Sequence, residues 1–239
     1  MEHDPVRRSL LKYLLVLAIP SCGYAERLND AVFGNPPLEE QVVTYLEEAK
    51  GYTDRKHLKV FYDDHGPKLD TIISKFNQHL PLLENSFKSL EQDSLPESYW
   101  SPVALDEIDP LYEKIRDDLD NSFDALQFKG KDARQDLRDA RRSYRLITLE
   151  IMTSRILMHE LMFAEAELLF NYALKQEKTP ETEALASTAL TWMHPMEDYA
   201  GKSRHAEFRP YGGRLRRYRR RFDFEFGTKH LNSPSEPPA

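Results

Sequence analysis

One stretch constrains this chain more than any other. Residues 143–176, SYRLITLEIMTSRILMHELMFAEAELLFNYALKQ, are apolar around most of the circumference that a helix would present. A helix that is apolar all round must be buried among other helices. The stretch therefore reads as the larger part of a long central helix, from about Asp132 to Gln176, whose first third (DARQDLRDARR) is strongly charged. It does not read as a membrane span, because Glu150, Arg155, His159, Glu160, Glu165 and Glu167 interrupt it.

The segments before and after it carry the same period. Leu69, Ile72, Ile73, Phe76, Leu80, Leu83, Phe87 and Leu90 recur at steps of three and four, the stripe of a core-facing helix over about 68–92. Pro81 lies inside that stripe and predicts a kink or break, and Gly66-Pro67 predicts the end of a shorter helix over 54–64. A first helix is expected over 38–50, with Val42, Val43, Leu46 and Ala49 on one side. Asp109-Pro110 reads as an N-cap followed by proline at the first helical position. The helix it opens turns Leu111, Ile115, Leu119, Phe123 and Leu126 inward and stops at Gly130. Thr179-Pro180-Glu181 starts a last helix, to about Met193, with Pro195 ending or bending it. The expected fold is all-α: an antiparallel bundle of about four main helices with short accessory helices and a basic C-terminal segment of β-like pattern.

Charge is unevenly placed along the chain. Of the net −7, residues 1–25 carry +1, residues 202–221 carry +8 and residues 222–239 carry −2, which leaves −14 on residues 26–201. Four regions follow: 1–25, an acidic helical domain over 26–201, a basic and aromatic segment over 202–227, and a tail over 228–239 whose composition predicts disorder. In the basic segment Gly212-Gly213 reads as a turn. Arg214, Arg216, Arg217, Arg219, Arg220 and Arg221 follow, and Phe222, Phe224 and Phe226 then alternate with Asp223 and Glu225 at the period of a strand. These six arginines are the candidate binding residues. An anionic membrane surface or an acidic protein partner fits them; nucleic acid is disfavoured for an exported chain. The plainer expectation is that the segment folds back and neutralises part of the acidic body.

The first 25 residues read as an export signal. Arg7, Arg8 and Lys12 supply the positive charge and Tyr13 to Ile19 the apolar core. Arg7-Arg8-Ser9-Leu10-Leu11-Lys12 resembles the twin-arginine export motif, with Leu10 where an aromatic residue is usual and Val6 where Ser or Thr is usual. Gly23-Tyr24-Ala25 fits cleavage before Glu26, which would place the protein in the periplasm or cell envelope. Ile19-Pro20-Ser21-Cys22 resembles a lipobox, in which Cys22 would become a lipidated terminus. Cys22 is the only cysteine, so cleavage after Ala25 removes thiol catalysis, disulfides, iron–sulfur clusters and cysteine zinc sites together.

No reaction is legible, and an enzyme is not the favoured expectation. GxGxxG, GxxxxGK[ST], HExxH and EF-hand patterns are all absent, and no Glu stands three before His159 as a di-metal bundle site requires. No cofactor and no metal is expected; His57, His65, Asp63 and Asp64 are too generic a group to hold one. The weak catalytic candidates are Glu150, Arg155 and His159, within a polar pocket of the central helix. The competing expectation is that they reach the bundle's edges and pair with neighbouring helices. The class favoured by the sequence is an exported helical binding or interaction protein; the alternative is a periplasmic enzyme or cofactor carrier.

Overall fold

The computed structural model describes residues 36–53, 59–202 and 209–227. The export signal with Arg7, Arg8 and Cys22, the C-terminal tail, and His57 lie outside the described residues. So do the side chains of Asp63 and Asp64. The described chain is all-helical, with no strand. Its elements are α1 (Leu38–Thr53), α2 (Lys59–Glu91), α3 (Trp100–Val103), a π-helical turn (Ala104–Ile108), α4 (Asp109–Asp124), α5 (Ala133–Lys175), α6 (Pro180–Lys202) and α7 (Arg209–Phe226). Two compact units divide it, one of Pro37–Glu165 and one that takes in residues 166–227.

In the first unit α1 packs on α2, and α2 packs on α3, the π-helical turn and α4. The stripe of α2 is the main apolar surface: Leu69, Ile72, Phe76, Leu83, Phe87 and Leu90 are buried, while Ile73 and Leu80 are only half-buried. Val42, Leu46 and Ala49 of α1 and Tyr112, Ile115 and Leu119 of α4 complete it with Ile147, Ile151, Met158 and Met162 of α5. Each large apolar side chain so buried contributes about 1.5–3 kcal/mol. That explains why α2 runs unbroken through Pro67 and Pro81, against the expected break at Gly66-Pro67 and kink or break at Pro81. One interior proline costs about 3 kcal/mol, and the buried stripe outweighs it. α6 likewise continues past Pro195 to Lys202. Its start is capped reciprocally: Thr182 N donates to Thr179 Oγ1 at 3.3 Å and Thr179 N to Thr182 Oγ1 at 3.0 Å.

In the second unit α6 packs along α7. The β-like pattern assigned to the C-terminal segment is corrected here, because Phe222, Phe224 and Phe226 all lie on a helix, as do Gly212 and Gly213. The period of two competes with a longer period of 3.6. Tyr211, Leu215, Tyr218, Phe222 and Phe226 form an apolar stripe at helical spacing, with Leu215 and Phe226 buried. The rings of Phe222 and Phe226, one helical turn apart, lie 5.2 Å from each other, and Phe224 projects away at 73% exposure.

Candidate functional site

Asp109 is not a helix cap. The chain is already helical before it, and the π-helical turn Ala104–Ile108 delivers it at the point where Pro110 removes a donor from the helical ladder. Its carboxylate is committed elsewhere. Arg155 Nε donates to Oδ1 and Arg155 Nη2 to Oδ2, each at 2.7 Å, and His159 Nε2 donates to Oδ1 at 2.8 Å. Arg155 Nη2 also donates to Glu113 Oε1 at 3.0 Å. Burial raises the Asp109 carboxyl, but the hydrogen bonds and charges of His159 and Arg155 outweigh it and hold the group at about 2. Asp109 is therefore a fixed anion at neutral pH, and the fork of Arg155 is spent on it.

Glu150 does not join this group. It lies nine residues before His159 on α5, about half a turn round the helix. It is buried, and burial with the charge of Glu48 pushes its carboxyl up to about 7. Ser154, on the Glu150 side, donates to the carbonyl of Val42 at 2.9 Å and lies 2.6 Å from the Tyr112 hydroxyl. The three catalytic candidates thus occupy two places: Arg155 and His159 on Asp109, Glu150 against Glu48.

Glu165 has the most complete surroundings in the first unit. Its side chain is fully buried. Oε1 accepts from Trp100 N at 2.9 Å and from Ser86 Oγ; Oε2 accepts from Ser101 N at 2.7 Å and Ser101 Oγ at 2.5 Å. Tyr99, at the start of α3, supplies no side-chain cap of its own. Glu165 caps that helix start from a distant segment, where the free amides and the helix dipole both favour an anion. His65 is buried, with Nε2 3.1 Å from Ser122 Oγ. Among the described residues no group of three or more His, Cys, Asp or Glu side chains could hold a metal.

The six C-terminal arginines divide into two sets. Arg214 Nη2 donates to Glu167 Oε2, and Tyr218 donates to Glu167 Oε1 at 2.9 Å. Burial raises the Tyr218 hydroxyl, and the Glu167 charge raises it further, so it stays protonated as a donor. Arg219 reaches both oxygens of Glu197, at 3.2 and 2.9 Å. Lys178 lies 3.6 Å from Glu225 and 4.8 Å from the ring centre of Phe226. These pairs fasten one side of α7 within its unit. Arg216, Arg217, Arg220 and Arg221 are exposed. At about 100° per residue they fall within an arc of roughly 140°.

No protein-family model, curated protein or solved structure matches the chain. Sequence reasoning missed Asp109, read as a cap, and the capping role of Glu165. A usable signal existed for the first. Arg155 and His159, four apart on a buried helix, require a carboxylate from another element. Asp109 stands beside Pro110, at the start of α4.

Proposed function

We propose that this protein is an exported helical binding protein of the bacterial cell envelope, and that it docks on a polyanionic surface through Arg216, Arg217, Arg220 and Arg221. Its frame in this reading is an antiparallel bundle of four main helices, which serves to hold the docking helix. The observation that carries the proposal is the division of the arginines: two fasten α7 by carboxylate pairs, and four point outward on one arc. A helix tethered on one side presents the cations of its other side to any anionic surface nearby. The N-terminal 25 residues supply the address, through the twin-arginine-like Arg7-Arg8, with release after Ala25 or lipidation at Cys22.

The enzyme alternative has less support. Arg155 and His159 are committed to Asp109, and Glu150 lies on another side of α5. Heparin affinity tests the docking. The full chain with R216Q/R217Q/R220Q/R221Q should elute at much lower salt than the wild type. Identical elution would overturn the assignment of these four residues.

A further inference from the structure

The exposed face of α7 is not purely cationic. Phe224, at 73% exposure, is the most exposed large hydrophobic side chain among the described residues. At about 100° per residue it falls between Arg217 on one side and Arg220 on the other, with Arg221 beyond Arg217, well inside the arginine arc. The opposite side of the helix is occupied: Leu215 and Phe226 are buried, and Tyr218 is held by Glu167. The ring stands on the side of α7 away from that packed face.

A free polyanion engages charge alone and has no use for an aromatic ring at the centre of the patch; an acidic protein would have to bring a preformed pocket for it. An anionic bilayer does match it. Arginine forks pair with phosphate oxygens at the headgroup level, and apolar rings of an interfacial helix enter the layer just beneath. We infer that α7 lies flat on anionic lipid, with Arg216, Arg217, Arg220 and Arg221 on the headgroup phosphates and Phe224 inserted between them. Asp223, exposed at the edge of the arc, sets the limit of the lipid-facing side. The inference rests on the proposed docking face and names its occupant.

Two measurements on the full chain separate the inference from the reading beneath it. The first is binding to vesicles of phosphatidylglycerol and phosphatidylcholine, against phosphatidylcholine alone, at low salt. The wild type should bind only the anionic vesicles. The four-glutamine variant should bind about a hundredfold more weakly or worse, given the contribution of each basic residue near a charged surface, and Phe224→Ala about tenfold more weakly. The second uses Phe224→Trp with lipids brominated on their acyl chains. Trp100 and Trp192 are buried, so the wild type supplies the background. Quenching of the introduced indole beyond that background is expected. Arginine-dependent binding to heparin but not to vesicles, or vesicle binding with no quenching and no effect of Phe224→Ala, would overturn the lipid assignment while leaving the docking face intact. No arginine-dependent binding to either surface would overturn both.

Discussion

Arg155 grips Asp109 by both carboxylate oxygens, with Nε and Nη2 each at 2.7 Å, and His159 shares one of those oxygens from the next turn of the same helix. The pair ties α5 to the start of α4. Taking one partner from a part-buried ion pair leaves the other charge poorly solvated, so Asp109→Asn should cost about 3 kcal/mol. Denaturant unfolding at pH 7 measures it. The depressed carboxyl adds a pH signature. Its contribution is complete above the ordinary aspartate range and fades as pH falls from about 4 toward 2. The variant should lack that component of acid unfolding.

Glu165→Gln tests the remote cap. The amide keeps one acceptor oxygen but turns an NH2 group toward amide and hydroxyl donors that expect an anion. A loss of about 2–4 kcal/mol is expected. Ser86→Ala, which removes one donor of the four, should cost about 1 kcal/mol. Equal effects from the two would contradict the capping role.

Glu150 has the opposite sign from Asp109. Its carboxyl sits at about 7 in the folded chain and lower when unfolded, so folding holds its proton more tightly. Stability is lost as pH rises from about 4.5 to 7, and the full cost remains above 7. Glu150→Gln should therefore stabilise the protein at pH 8 by about 1–3 kcal/mol and have little effect near pH 4. Unfolding curves at the two pH values decide it.

Much of the fold was legible because core burial imposes a period on the sequence. The stripe from Leu69 to Leu90 and the all-round apolar stretch in α5 both gave the correct elements. The departures have a common physical cause: tertiary terms override local signals. Pro67 and Pro81 are breakers in isolation, but the buried stripe from Leu69 to Leu90 outweighs them. Asp109 next to Pro110 has the local chemistry of a cap, and only the distant Arg155 and His159 reveal its use. Phe222, Phe224 and Phe226 alternate like a strand, yet Leu215, Tyr218, Phe222 and Phe226 make the better helix. The split of the arginines was illegible because Glu167 and Glu197 lie far from them along the chain.

The helical state of the basic segment can be tested at Gly213. A Cβ there meets nothing within 4 Å. Gly213→Ala should stabilise α7 by about 0.5–1 kcal/mol through backbone entropy alone. A turn at this position, the sequence expectation, would give no such gain. Thermal unfolding followed by circular dichroism distinguishes the two.

Fractionation of the native host asks whether the exported chain is held at the envelope by α7. A Cys22→Ser background removes any lipid anchor, so that only docking can hold the chain. A processed protein, starting at Glu26, is expected in the envelope fraction; high salt should release it, and R216Q/R217Q/R220Q/R221Q should leave it soluble in the periplasm. A chain that keeps Met1 and stays in the cytoplasm, or an envelope association indifferent to both salt and the four arginines, would contradict that expectation.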